Sequence, residues 1–156
     1  MYKEAGNVLN QVDLNQHPKV KFTTGDDNHI NDDYFLESGD KIRFFLEENA
    51  DLKKVPKERA INKIGHALHE LNPVFKKFSR NDKVVDLARD LGYESPAILQ
   101  SMLIFKQPEI GGEVPGHIDS TFLYTDPPSA TGLWFALENC TLENGCMYFA
   151  PGSLST

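Results

Sequence analysis

The spacing of apolar residues changes character near Pro96, and that change limits the folds open to the chain. Upstream, Ala5, Val8, Leu9 and Val12 recur at helical spacing, which predicts a helix within 2–13. No capping residue precedes it, so the chain begins inside the periodic pattern. Asn72-Pro73 reads as an N-cap followed by proline at the first helical position, with Val74, Phe75 and Phe78 on the apolar side. A further helix starts near Asn81 or Asp82, carries Val84, Leu87, Ala88 and Leu91 on one face, and stops at Gly92 in the C′ position. Two short strands fall between the first helix and these. In one, Ile42, Phe44 and Leu46 alternate with Arg43 and Phe45; in the other, Asn62 and Ile64 share one face, Ile61 and Lys63 the opposite one.

Downstream of Pro96 the pattern is β. Ile98, Gln100, Met102 and Ile104 fall on one face, and Leu99, Ser101, Leu103 and Phe105 on the other. The stretches TGLWFALE (131–138) and CMYFA (146–150) read as strands joined by a turn at Asn144-Gly145. Helices followed by short strands with Gly/Pro turns predict an α+β chain: a sandwich or jelly roll with a helical layer on one side. The roll is expected to be unfinished at its C-terminal end, with its last strand lacking a partner.

At 156 residues, 40% hydrophobic and 25% charged, the chain holds one ordinary globular domain at most. A net charge of -7 without any basic block argues against nucleic acid or an anionic membrane as the main partner. No apolar run approaches the ~18 residues of a membrane span, and the first residues are too polar for a signal peptide. An intracellular, cytoplasmic location is expected. Cys140 and Cys146 flank a turn and are read as reduced thiols. The polar segment 15–33 reads as a loop, with His17 and His29 as solvated side chains.

Chemistry concentrates at His117-Ile118-Asp119. On an extended backbone His117 and Asp119 point the same way and Ile118 the other. One imidazole and one carboxylate side by side on a strand end make two thirds of a 2-His-1-carboxylate triad, the arrangement that holds non-haem Fe(II) with positions left open. The bland alternative is a His–Asp hydrogen bond. A second candidate, His66 and His69, has a helical ligand spacing, but Gly65 weakens a helix there and no acid follows at a zinc-site spacing.

Four blocks, INKIGHALHELNPVF, QSMLIFKQP, GGEVPGHIDSTFLYT and ALENCTLENGCMYFAPGS, in this order and spacing, resemble the phytanoyl-CoA dioxygenase family. The likeness runs from about residue 33 to 153 and more loosely over the first helix. It implies a double-stranded β-helix, cupin-like, that binds Fe(II) and 2-oxoglutarate and uses O2. By position it assigns His117 and Asp119 as iron ligands and catalytic residues. It assigns Lys63, Met102, His117, Ile118, Asp119 and Trp134 to the 2-oxoglutarate site. Met102 and Trp134 keep core packing as their alternative role. The resemblance further implies one partial dioxygenase domain over 1–156, with 1–96 helical plus flanking strands and 97–156 the first half of the roll. Truncation at both ends is expected, since the family's third iron ligand (a histidine) and the arginine that pairs with the far carboxylate lie downstream. Leu154 stands where the family has a histidine that is not a ligand. The expected activity is hydroxylation of a small molecule, an acyl-CoA or a related compound; the competing reading is an inactive fragment or a metal- and oxoglutarate-binding module.

Overall fold

The computed structural model describes residues 1–14, 20–22 and 33–153. His17, His29 and Leu154 lie outside the described residues. The chain divides into two compact units, Met1–Gly112 and Glu113–Thr156.

The first unit opens with helix α1 (Tyr2–Asn10), which buries Ala5, Val8 and Leu9 at the predicted spacing, with Val12 just beyond it. Strand β1 (Lys21–Phe22), the one-turn helix α2 (Asp33–Leu36) and strand β2 (Ile42–Glu47) follow. After α3 (Lys57–Ala60) come strand β3 (Ile61–His66) and three helices, α4 (Leu68–Leu71), α5 (Pro73–Ser79) and α6 (Asp82–Asp90); strand β4 (Ser101–Ile104) closes the unit. The four strands form one mixed sheet in the order β1-β2-β3-β4. β1 runs parallel to β2, and the other two pairs are antiparallel.

Local chemistry explains the helix ends. The Asn72 side chain accepts from the amides of Val74 and Phe75, with Pro73 next in line, as the sequence indicated. Its amide also donates to Glu4 of α1 at 2.7 Å, tying the first helix to the start of the fifth. Asn81 caps α6 through the Val84 amide. At the other end of α6, Gly92 adopts φ 87°, and the amides of Gly92 and Tyr93 return to the carbonyls of Arg89 and Ala88. That pairing is a Schellman motif, which needs a residue free to take positive φ.

The core gathers Phe45, Ile61, Ile64 and Leu68, each no more than 1% exposed. Burial of each such side chain contributes about 1.5–3 kcal/mol. The inward face of β2 differs from the simple alternation expected. Phe45, Leu46 and Glu47 are buried, while Ile42, Arg43 and Phe44 are half-buried. The reason is a register shift: Phe45 pairs with Lys63 but Leu46 pairs with Ile61, so Asn62 is an extra residue on β3. Such a bulge twists the ladder and re-aims the side chains around it. β4 is shorter than the pattern 98–105 suggested, and it turns Leu103 inward while Met102 and Ile104 stay exposed.

In the second unit the described residues contain no strand. They hold a one-turn helix, α7 (Asp119–Phe122), and a 3-10 turn over Leu142–Asn144. The turn at Asn144-Gly145 forms as predicted, with Gly145 at φ 80° and a reciprocal cap between Thr141 and Asn144. The strands expected at 131–138 and 146–150 do not form. A strand persists only where a neighbour satisfies its backbone and an opposing layer covers its apolar face. Neither condition is met here: Trp134 is 50% exposed, Tyr148 75% and Phe149 86%. The described architecture is therefore mixed α+β around a four-stranded sheet, without the strands of a jelly roll after residue 104.

Candidate functional site

Two clusters carry the candidate residues, one in each unit. In the second unit, Ile118 is extended at φ -119° and ψ 122°, and Asp119 then opens α7. His117 and Asp119 therefore flank a helix start rather than sit on a strand, which corrects the strand-end expectation. The reason is that Thr121 and Leu123 donate their amides to Ile118 and Asp119, so the chain bends into a turn. The single extended residue between them still brings both side chains to the same side.

His117 Nδ1 lies 2.8 Å from the Pro115 carbonyl oxygen. A carbonyl can only accept, so Nδ1 carries a proton and Nε2 is the nitrogen left for another partner. Nε2 faces Asp119 Oδ1 at 3.3 Å. Two acceptors in this position need a cation between them, either a proton or a metal ion. Donors about 2.1 Å from a common ion and 3.3 Å apart subtend about 100° at it, within the range between tetrahedral and octahedral geometry. The bond from Nδ1–H to a backbone carbonyl is the usual outer support of a metal-binding histidine. The pair thus fits a metal ion as two neighbouring ligands. Among the described residues no group of three or more His, Cys, Asp or Glu is placed to hold one. A further residue belongs to this corner: a Cβ at Gly132 would stand 3.2 Å from Asp119 Oδ2, so only glycine leaves that oxygen uncrowded.

In the first unit, Lys63 is 6% exposed on β3. Its Nζ lies 3.4 Å from the ring centroid of Phe22, 5.3 Å from that of Phe45 and 5.4 Å from that of Phe35. The ring faces attract the ammonium, but no described carboxylate pairs with it. Burial pulls the Lys63 pKa down to about 8. A cation desolvated without a counter-charge is a standing electrostatic vacancy for an anion. Met102 lies on the neighbouring strand opposite Gly65 and is 42% exposed. Trp134 belongs to the second unit and is half exposed.

The family model for phytanoyl-CoA dioxygenase (PhyH) matches residues 4–155. The chain belongs to the phytanoyl-CoA dioxygenase family. Among its curated relatives are the phytanoyl-CoA dioxygenase domain-containing protein 1 homolog of Caenorhabditis elegans, 50% identical over 159 residues, 98% of this chain and 55% of that protein. The phytanoyl-CoA dioxygenase of Arabidopsis thaliana is 52% identical over 155 residues, 97% and 54% of the two chains. Phytanoyl-CoA dioxygenase domain-containing protein 1 of Rattus norvegicus is 48% identical over 162 residues, 98% and 56% of the two. The chain thus spans about half the length of the relatives it matches. Among the described residues no helix is long and apolar enough to cross a membrane.

In this family member His66 and His69 do not form a ligand pair. His66 ends β3 and His69 lies on α4, and each is bonded elsewhere. The His69 backbone amide donates to Ser101 Oγ at 2.9 Å, its Nδ1 lies 2.9 Å from the same oxygen, and His66 Nδ1 lies 2.7 Å from Ser38 Oγ. The sequence gives no sign of the Ser38–His66 contact, because 28 residues separate the partners. The aromatic surroundings of Lys63 were half visible, since Phe45 is adjacent to it only once β2 and β3 are paired.

Proposed function

We infer that the chain carries part of the site of an Fe(II)- and 2-oxoglutarate-dependent dioxygenase, a hydroxylase whose complete jelly roll is assembled only over the full length of the family. The observation that carries this is Nε2 of His117 facing Asp119 Oδ1 at 3.3 Å while Nδ1 is tied to Pro115. His117 and Asp119 would hold the iron. Bound iron supplies the redox chemistry that couples oxidative decarboxylation of 2-oxoglutarate to hydroxylation of a substrate C–H bond.

The residues of the chain supply orientation and charge. Pro115 fixes the imidazole so that one nitrogen alone is available. Gly132 leaves the second Asp119 oxygen free to turn. Lys63 attracts a carboxylate of 2-oxoglutarate through a charge-assisted bond. Met102 in the first unit and Trp134 in the second are each partly exposed and each offer apolar surface to a ligand, and the backbone at Ile118 spaces His117 and Asp119. The substrate is a small molecule of the acyl-CoA kind, with no role for nucleic acid.

The test is turnover of 2-oxoglutarate to succinate without added substrate, in a protein extended to the length of its relatives. Asp119→Ala should abolish it. Equal rates in the two proteins would remove the metal assignment.

A further inference from the structure

The reading of Lys63 as an oxoglutarate contact meets an obstacle, because the ammonium is closed in. The side chain is 6% exposed, and Nζ lies over the Phe22 ring, 3.4 Å from its centroid. The Phe35 and Phe45 rings stand farther off, at 5.4 and 5.3 Å. A carboxylate oxygen must come within about 3 Å of the nitrogen to bond to it, so a ring has to give way. The three rings are not equally free to do so. Phe45 is 1% exposed and pairs with Lys63 across β2 and β3. Its ring meets Tyr34 edge-on at 5.5 Å and Phe35 edge-on at 5.8 Å, and lies tilted against His66 at 5.6 Å. Phe35 is wedged in turn against His66 at 5.5 Å. Moving either ring breaks up a packed aromatic cluster. Phe22 is placed differently. It is half-buried on β1, a two-residue strand at the edge of the sheet.

We propose that Phe22 is the gate of the oxoglutarate seat: its ring covers the Lys63 ammonium until a ligand carboxylate takes its place. The inference rests on the reading of Lys63 given above. The backbone of β1 is fixed against β2, with Lys21 opposite Leu46, Phe22 opposite Glu47, and the Leu46 amide donating to the Val20 carbonyl at 2.9 Å. A change of rotamer about the Cα–Cβ bond therefore moves the Phe22 ring alone and leaves the ladder whole. Ring and carboxylate compete for the same side of the ammonium. The ring face attracts it through a quadrupole, whereas the carboxylate brings a full charge and hydrogen-bond acceptors. Only a ligand that holds the ammonium more strongly than the ring displaces it, so the gate favours an anion over a neutral oxygen. The desolvation that draws the Lys63 pKa down to about 8 agrees with a side chain covered in this way.

The measurement is NMR of the 156-residue chain with labelled lysine ε-carbons. Protons held over a phenyl face are shifted upfield by its ring current. The ε-protons of Lys63 should therefore resonate upfield of those of the other lysines without ligand, and should lose that displacement as 2-oxoglutarate saturates the chain. Phe22→Leu keeps apolar bulk without the ring and should lose the displacement with no ligand added. Phe22→Ala removes the competitor and should bind 2-oxoglutarate about fivefold more tightly, the scale of one cation–π contact. A displacement that persists at saturation, or one that survives in Phe22→Leu, would overturn the proposal. So would unchanged or weaker binding in Phe22→Ala, since a ring that helps to hold the ligand is no gate. Should Phe22→Ala fail to fold, the wild-type displacement decides by itself. Lys63→Met is the control. Binding of 2-oxoglutarate that is equal in that variant and the wild type, or absent from the wild type, removes the underlying reading and the gate with it. Loss of binding in Lys63→Met, with a displacement that persists in the wild type, removes the gate alone.

Discussion

Replacing Lys63 by methionine should stabilise the chain while removing its affinity for 2-oxoglutarate. The side chain is 6% exposed, and its pKa falls from 10.5 to about 8 because burial penalises the ammonium. That displacement corresponds to about 3 kcal/mol of strain in the charged form. The sign follows from proton linkage. The folded state binds the Lys63 proton more weakly than the unfolded state, so the penalty is complete below about pH 8 and is relieved as pH rises to 10.5. Methionine has similar length, no charge and a tolerance for irregular apolar space. At pH 7 Lys63→Met should therefore gain up to about 3 kcal/mol, less whatever cation–π attraction to Phe22 is lost. For a chain of this size the gain raises Tm by roughly 2–4 °C per kcal/mol. Urea denaturation at pH 7 and pH 10.5 measures it. The gain should be large at the first pH and vanish at the second. A variant less stable than the wild type by the same amount at both would show that the ammonium is no net burden, and the vacancy argument would fail.

Acid should weaken the fold through His66. Its folded pKa of about 4 lies below the ordinary 6.5, so the unfolded chain takes up the proton first and stability falls as pH drops from 6.5 toward 4. His66→Phe should flatten that slope in urea midpoints taken across the same range. Gly132→Ala places a methyl 3.2 Å from Asp119 Oδ2 and should weaken iron binding about tenfold with little change in thermal stability; an unaltered affinity would show that this oxygen has room to spare. Asn72→Ala removes the cap of α5 and the bond to Glu4 and should lower stability by about 1–2 kcal/mol in chemical denaturation.

Helix ends were the most legible part of the sequence. Asn72-Pro73, Asn81 and Gly92 act through neighbours within five residues, so the signal is local and the structure repeats it. The turn at Asn144-Gly145 is legible for the same reason. Strand faces were less so: Phe45 is buried and Phe44 half-buried, and the extra residue Asn62 on β3 shows only once the strands are paired. The segments 131–138 and 146–150 show the limit plainly. Their β pattern is real, but a strand is a property of a pair, and no partner strand is present among the described residues. The site divides along the same line. His117 and Asp119 are two apart in sequence and were visible as a pair, whereas the bond that orients the imidazole depends on Pro115. The ring environment of Lys63 and the Ser38 contact with His66 assemble residues from β1, α2, β2 and β3, which no spacing rule brings together.

The central claim is that His117 and Asp119 hold one metal ion between them, and the imidazole signals of the chain test it most directly. Anaerobic Fe(II), or Mn(II) as a paramagnetic stand-in, should broaden the ring resonances of His117 before those of the other histidines among the five in the sequence. In Asp119→Ala that selectivity should disappear. Broadening spread evenly over all the histidines, or selective broadening of His117 that survives loss of the carboxylate, would contradict the account.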